Sequence, residues 1–183
     1  MVVIVIGVSG VGKTVVGRLV AEHLDRPFLD ADDLHTPENL ARMTAGEPLG
    51  EAERRPWIGR LRAALGLAVA AGEQPVLACS ALRAEHRMLL AAGLPVTWLY
   101  LTAPVEVIEG RLRDRRSVQP QAVGTELLAS QLATLDAPDD RAGSIASIDA
   151  TGSPEKVAQL AVAEINRLEG NRKNGRHKHG GAS

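Results

Sequence analysis

Cysteine is scarce in this chain, since Cys79 is the only one among 183 residues. A single cysteine excludes a disulfide framework within the chain and any cage of thiolate ligands around a metal ion. It also suits a reducing compartment, so we expect the protein to be cytoplasmic.

Net charge and long apolar runs are lacking as well. The 21 basic and 22 acidic side chains nearly cancel, which argues against nucleic acid or a membrane surface as a main partner. No apolar run approaches the roughly 20 residues that a membrane-spanning helix needs. The apolar start, Val2–Ile6, is short and lacks a basic leader, so we expect a buried strand there and not a signal peptide.

Short β-branched runs alternate with amphipathic stretches along the chain. Strands are expected at residues 2–6, 27–30, 75–79, 96–101 and 144–148. Helices are expected at 13–24, 37–44, 53–71, 83–92, 105–116, 125–135 and 154–168. This alternation predicts an α/β fold with a five-stranded parallel sheet between two helical layers.

The chain divides into one domain and a tail. Residues 1–169 have the length of a single α/β domain. From residue 170 to 183 the chain consists largely of Asn, Arg, Lys, His and Gly, which cannot bury enough apolar surface to fold. We expect a disordered basic tail that is not needed for activity, although binding of polyanions is an alternative role for it.

A glycine-rich segment follows the first predicted strand and matches the pattern G-x-x-x-x-G-K-[ST]. Its glycines let backbone N–H groups turn inward around a polyphosphate, while the helix that follows points its positive end at the same charge. The pattern predicts ATP and Mg²⁺ as cofactors, with a lysine on the β- and γ-phosphates and a hydroxyl on the ion. The expected nucleotide contacts are Gly7, Ser9, Gly10, Val11, Gly12, Lys13, Thr14 and Val15, of which Lys13 is also catalytic and Thr14 also binds the metal.

Two carboxylates follow the second predicted strand. Asp30 and Asp32 are two residues apart, so in an extended segment both point toward the carboxyl edge of the sheet, where ligands of such folds bind. One of them could hold Mg²⁺ and the other could accept the proton of an attacking hydroxyl. The spacing does not decide which does which.

A longer motif continues from these carboxylates. The sequence resembles the bacterial gluconate kinases, whose pattern is approximately D-x-D-x-L-H-P-x-x-N-x-x-K-M-x-x-G-x-P-L-x-D-x-D-R-x-P-W-L. A C-S-A-L-K segment and an L-L-x-S-Q segment of that family are matched later in the chain, so the resemblance covers roughly residues 2–166. The matching residues are Asp30, Asp32, Leu34, His35, Asn39, Met43, Gly46, Pro48, Leu49, Arg54, Pro56 and Trp57, then Cys79–Leu82 and Arg87, then Leu127, Leu128, Ser130 and Gln131.

The resemblance implies ATP-dependent phosphorylation of D-gluconate to 6-phospho-D-gluconate by a P-loop kinase, which in this family is often a homodimer. Gluconate is a polyol with one carboxylate, so guanidinium groups should hold its charge and carboxylate or imidazole groups its hydroxyls. We expect Arg54 and Arg87 to bind the carboxylate and Asp32 and His35 to bind hydroxyls. Asp32 is then the catalytic base, which leaves Asp30 for the metal.

Four arginines crowd the end of the helix after the fourth strand. In small kinases of this architecture such arginines belong to a mobile lid, here about residues 113–126, and neutralise charge on the transferred group. Arg115 matches the family's lid arginine and is expected to be catalytic, and Arg111 and Arg115 are expected to bind the nucleotide. The chain departs from the family at residues 117–124, where Gly-His-Phe is usual. A loop at 148–154 is expected to border the adenine.

Two other functions fit part of this pattern. A shikimate kinase shares the P-loop, the acidic pair and the lid, but lacks the Leu34-His35 and Pro56-Trp57 signatures. A nucleotide-binding regulatory protein with impaired catalysis would keep the P-loop while its altered lid no longer supports transfer. The acceptor motif favours the gluconate kinase over both.

Overall fold

The computed structural model describes residues 1–119, 122, 124–138 and 144–177, the last six of these by their backbone alone. Its strands are β1 (Val2–Ile6), β2 (Phe28–Asp30), β3 (Val76–Ala78), β4 (Val96–Thr102) and β5 (Ile145–Asp149). Its helices are α1 (Lys13–Leu24), α2 (Pro37–Thr44), α3 (Glu51–Ala70), α4 (Ala84–Ala91), α5 (Val105–Val118), α6 (Glu126–Thr134) and α7 (Pro154–His177), and a 3-10 helix covers Ala31–Leu34.

The five strands form one parallel sheet in the order β2-β3-β1-β4-β5. This confirms the predicted α/β class. Strand β1 lies in the centre, between β3 and β4. Because all strands run in the same direction, the segments that follow β1, β2 and β3 meet at one edge of the sheet, which is where ligands of such folds bind.

Helices cover both faces of the sheet, and alternate residues of β1 point to opposite cores. Val3 and Val5 pack with apolar residues of α1, α5 and α7, whereas Val2, Ile4 and Ile6 pack with residues of α3 and α4. Every residue of β1 is buried, which explains why its sequence is a continuous β-branched run and not an alternating one.

Several element ends differ from the expected bounds by one or two residues, and two larger differences bear on the site and the tail. The acidic stretch after β2 forms the 3-10 helix, because the Asp30 carboxylate caps it by accepting a hydrogen bond from the Asp32 N–H at 3.1 Å. Helix α7 runs to His177 and not to Leu168, so residues 170–177 of the tail expected to be disordered are helical. A helix that is already formed adds one hydrogen bond for each further residue, and Glu169 is anchored by ion-pairing to Arg26 at 3.1 Å. Residues 178–183 of the expected tail lie outside the described residues.

Within the described residues, no helix is long and apolar enough to cross a membrane.

Candidate active site

The glycine-rich segment forms a turn between β1 and α1. Gly10 and Gly12 have φ angles of 80° and 109°, a region that side chains other than glycine rarely adopt. A Cβ atom on Gly10 would lie 2.7 Å from the Cγ atom of Leu112, so glycine also lets the turn pack against α5. Gly12 caps α1 without a side-chain hydrogen bond, which leaves the first N–H groups of that helix available for an anion.

Lys13 lies among charged groups from three segments of the chain. Its ammonium donates a hydrogen bond to the Val8 carbonyl at 3.0 Å. Burial lowers the pKa of Lys13, the nearby carboxylates of Asp32 and Asp30 oppose that shift, and Arg115 reinforces it. The structure therefore brings the P-loop lysine, both predicted carboxylates and the predicted lid arginine together.

Asp30 and Asp32 have different neighbours, contrary to the expectation that they point the same way. The Thr14 hydroxyl donates to the Asp30 Oδ2 atom at 2.9 Å, whereas Asp32 lines a cavity to which Asp30 does not contribute. The reason is that Asp32 belongs to the 3-10 helix and not to an extended segment. Thr14 and Asp30 supply adjacent oxygen atoms, which is the donor set that Mg²⁺ prefers when it binds through one or two protein ligands.

The cavity beside Asp32 contains three of the four residues expected to bind the acceptor. It lies at the carboxyl edge of the sheet, between the segment after β2, the start of α3, the segment after β3 and the inner face of α6. Its lining residues are Asp32, His35, Met43, Pro48, Leu49, Arg54, Trp57, Ser80, Ala81, Leu82, His86, Leu127, Ser130 and Gln131.

His35 is held in this cavity by Trp57. The two rings stack with centroids 4.4 Å apart and an angle of 9° between their planes, and the indole N–H of Trp57 donates to the Ala31 carbonyl at 2.8 Å. Burial lowers the pKa of His35, with Asp32 opposing the shift. A neutral imidazole can accept a hydrogen bond as well as donate one, which is what a hydroxyl of a polyol needs.

Arg54 is half-buried in the cavity wall. Its guanidinium group makes no hydrogen bond or ion pair with any described residue, and burial lowers its pKa. Glu51 and Glu53 favour the charged form while Arg83 opposes it. A partly desolvated guanidinium without a protein carboxylate in contact is suited to bind a carboxylate of a ligand.

Arg87, also expected to bind the acceptor, is placed differently. Its guanidinium group is buried and donates to the carbonyls of Ala81, Leu82 and Asp136 at 3.1, 2.9 and 2.9 Å. Ala81 has a φ angle of 33°, a strained value for a residue with a side chain. Arg87 thus stabilises the segment that carries Ala81 and does not line the cavity itself.

Arg111 and Arg115 have separate surroundings. The Arg111 guanidinium donates to the carbonyl of Val11 at 3.2 Å and to that of Ala150 at 2.7 Å. It therefore joins the P-loop to the loop after β5, where the adenine is expected. Arg115 is exposed near Lys13, and Val15 is 51% exposed in the first turn of α1. Part of the expected lid, residues 120, 121 and 123, lies outside the described residues.

His86 and Gln131 line the cavity and make polar contacts, although no role was expected for them from the sequence. His86 is buried, and its Nε2 atom lies 3.1 Å from the nearer Glu51 oxygen; this contact is the main reason that the pKa of Glu51 is lowered. Gln131 pairs with Ser9 of the P-loop through both ends of its carboxamide. The L-L-x-S-Q segment was the available signal for Gln131, whereas no sequence signal pointed to His86.

Cys79 lies at the end of β3 beneath the cavity. It is buried in the core, and burial raises its pKa to about 12. The thiol is therefore protonated at neutral pH and is a packing group, not a nucleophile.

The chain is similar to known proteins along most of its length. A family model described as an AAA domain matches residues 2–138. A gluconokinase of Arabidopsis thaliana is 35% identical over 175 residues, which cover 90% of this chain and 92% of that protein. The thermoresistant gluconokinase of Escherichia coli (strain K12) is 33% identical over 90% of this chain and 93% of that protein. The solved structure of a gluconokinase from Sinorhizobium meliloti 1021 has a TM-score of 0.79 at 32% identity, covering 94% of this chain and 95% of that chain. This chain belongs to the gluconokinase family of P-loop kinases.

Proposed function

We propose that this protein transfers the γ-phosphoryl group of ATP to the 6-hydroxyl of D-gluconate and so forms 6-phospho-D-gluconate. One observation carries the proposal: Asp32 lines a cavity that also holds the guanidinium of Arg54, which has no hydrogen-bond or ion-pair partner among the described residues, and the same carboxylate lies near the P-loop lysine, Lys13. An acceptor in this cavity has one group for its carboxylate, a base for its hydroxyl and a phosphoryl donor alongside.

Each cavity residue has a defined task in this reaction. Arg54 binds the carboxylate of gluconate through parallel N–H donors, and His35 hydrogen-bonds a hydroxyl along the polyol. Asp32 accepts the proton of the 6-hydroxyl while that oxygen forms its bond to the γ-phosphorus. The bond between the γ-phosphorus and the bridging oxygen breaks at the same stage, and ADP leaves with the electron pair of that bond.

The phosphate cradle stabilises charge on the donor. The N–H groups at the start of α1 point at the phosphates, and Lys13 exchanges the Val8 carbonyl for the β- and γ-phosphate oxygens. Arg115, which lies near Lys13, offsets negative charge on the transferred group. Arg111 orders the P-loop against the loop after β5.

Mg²⁺ is proposed as the metal, held by Thr14 and Asp30. Their oxygen atoms are 2.9 Å apart at the mouth of the cradle, and such ions bind through few protein oxygens together with phosphate oxygens. When bound there, the ion would neutralise charge on the β- and γ-phosphates. We further propose a cytoplasmic homodimer, as the single cysteine and the family resemblance favour.

A substrate panel tests the proposed function. Purified protein with ATP and Mg²⁺ is incubated with D-gluconate, other sugar acids or shikimate, and ADP release is measured. We expect turnover with gluconate, and we expect Asp32→Asn to lower kcat by about 100-fold or more because the base is lost. Asp33→Asn is the matched control, since Asp33 is exposed on the same 3-10 helix and does not line the cavity.

Each of the alternatives has its own outcome in this assay. Turnover of shikimate without turnover of gluconate would refute the acceptor and favour a shikimate kinase. Measurable ATP binding without transfer to any acceptor would favour the regulatory protein.

A further inference from the structure

Gln131 connects the two halves of the active site. Its Oε1 atom accepts a hydrogen bond from the Ser9 N–H at 2.7 Å, and its Nε2 atom donates to the Ser9 Oγ atom at 3.0 Å. The orientation of the carboxamide is fixed by chemistry, because a backbone N–H can only donate and so must face the oxygen. Ser9 belongs to the P-loop and Gln131 lines the acceptor cavity, so this residue pair spans both sites.

Helix α6 presents one face to the cavity. Leu127, Ser130 and Gln131 all line it, and their spacing of three and four residues puts them side by side on a helix. Leu127 and Leu128 are buried, so the helix is also fixed by apolar packing. The wall that touches the acceptor is therefore the same element that holds the P-loop.

The far end of α6 is tied to the segment after β3. The Asp136 N–H donates to the Leu82 carbonyl at 3.0 Å, and the Asp136 carboxylate accepts from the Ala84 N–H at 2.9 Å. Arg87 donates to the Asp136 carbonyl as well. Since Ala81 and Leu82 also line the cavity, α6 is anchored to the acceptor site at one end and to the phosphate cradle through Gln131.

We propose that Gln131 is a positioning residue that sets the distance between the acceptor hydroxyl and the γ-phosphoryl group by holding Ser9 of the P-loop against α6. The inference rests on the proposed function and adds a residue to it. Gln131 does not transfer a proton and does not bind the nucleotide's charge. Its contribution is to fix the position of the phosphate cradle relative to the acceptor cavity. A misplacement of about 1 Å between reacting groups can lower a rate by about 100-fold.

The test separates positioning from binding. In Gln131→Ala we expect kcat with gluconate to fall by about 10- to 100-fold while both KM values stay within about 3-fold, because the charged contacts that we propose, of gluconate to Arg54 and of ATP to Lys13, remain. The slow rate of ATP hydrolysis in the absence of gluconate should not fall. In that reaction the attacking group is a water molecule, which is not held in the acceptor cavity by α6. Leu132→Ala is the matched control, because Leu132 is the adjacent residue of α6 and its side chain is partly exposed.

A substitution of Ser9 tests whether Gln131 acts through its contact with that residue. If Gln131 acts through Ser9, then Ser9→Ala should lower kcat in the wild-type background and have a smaller effect when Gln131 is already alanine. The melting temperature of Gln131→Ala should remain within about 5 °C of the wild type, because only hydrogen bonds of a partly exposed side chain are lost.

Several outcomes would overturn the inference. A kcat for Gln131→Ala within about 2-fold of the wild type would do so, whatever happens to KM. Parallel losses of gluconate turnover, ATP hydrolysis and thermal stability would also do so, because they would show a structural role. Failure of the proposed function has a different result, a wild-type protein that does not phosphorylate gluconate. That result would refute both the proposed function and the inference about Gln131.

Discussion

Substitutions of Arg54 and Arg87 should have different effects, although both residues were expected from the sequence to bind the acceptor carboxylate. The change at each position is arginine to methionine, which removes the guanidinium group and keeps most of the apolar stem. For Arg87 we expect a loss of stability, and for Arg54 a loss of affinity for gluconate. The two variants serve as controls for each other.

The expected loss of stability in Arg87→Met follows from the three hydrogen bonds of the Arg87 guanidinium. Removing the guanidinium leaves the carbonyls of Ala81, Leu82 and Asp136 without this donor. A hydrogen bond to a charged group is worth about 1.5–3 kcal/mol, and because Leu82 keeps its bond from the Asp136 N–H, the sum is not fully additive. We expect Arg87→Met to lower the free energy of unfolding by about 3–5 kcal/mol, which corresponds to a fall in Tm of about 6–20 °C.

The effect of Arg54→Met on stability should be small, because the Arg54 guanidinium has no hydrogen-bond partner among the described residues. The guanidinium forms no ion pair within the described part of the chain either, so Arg54→Met should change the free energy of unfolding by less than about 1 kcal/mol. The lost contact is to the ligand, and a charge-assisted hydrogen bond of about 1.5–3 kcal/mol corresponds to a rise of about 10- to 150-fold in KM for gluconate.

Urea unfolding and steady-state kinetics on both variants check the pair. The reasoning about Arg87 is refuted if Arg87→Met unfolds at the wild-type urea concentration while its KM for gluconate rises at least as much as that of Arg54→Met. That result would mean that the guanidinium leaves the three carbonyls to bind the acceptor. A stable Arg54 variant with an unchanged KM would refute the assignment of Arg54.

Two further perturbations follow from the site. Burial lowers the pKa of His35, so the unfolded chain binds its proton first as the pH falls below about 6.5; stability from this residue is complete above that pH and declines below it, and His35→Gln should reduce the difference between urea midpoints at pH 7.5 and 5.5. An unreduced difference would contradict a neutral, buried His35. Thr14→Val removes the hydroxyl beside Asp30, so the Mg²⁺ concentration for half-maximal activity should rise about 10-fold, and an unchanged Mg²⁺ dependence would argue against this metal site.

Strands and most helices could be predicted from the sequence because burial on both faces leaves a strong pattern. Residues of β1 are β-branched throughout and the strand has the predicted bounds, as does α1. The end of α7 could not be predicted from apolar periodicity, since beyond Leu168 the helix continues by propagation and not by packing. The ion pair between Arg26 and Glu169 joins residues 143 positions apart, and no local pattern contains it.

The site was predictable to the extent that its residues act through the local chain. The P-loop depends on glycines within one turn, so its spacing is sufficient to identify it. Arg54 and Arg87 look equivalent in sequence, because each is an arginine in a motif near a helix. What separates them is the number of backbone carbonyls within reach of each guanidinium, and that number is set by how the segment after β3 and the end of α6 fold together.

The two carboxylates after β2 have different surroundings because the backbone changes from a strand to a 3-10 helix between them. An extended segment would have turned Asp30 and Asp32 to the same side and made them interchangeable. Instead Asp30 caps the 3-10 helix with its Oδ1 atom and accepts a hydrogen bond from the Thr14 hydroxyl with its Oδ2 atom, so its carboxylate is turned toward the P-loop. Asp32 has its carboxylate on the cavity side. In the reaction that we propose, the 3-10 helix therefore separates the two tasks, with Asp30 beside Thr14 for the metal and Asp32 in the cavity for the acceptor.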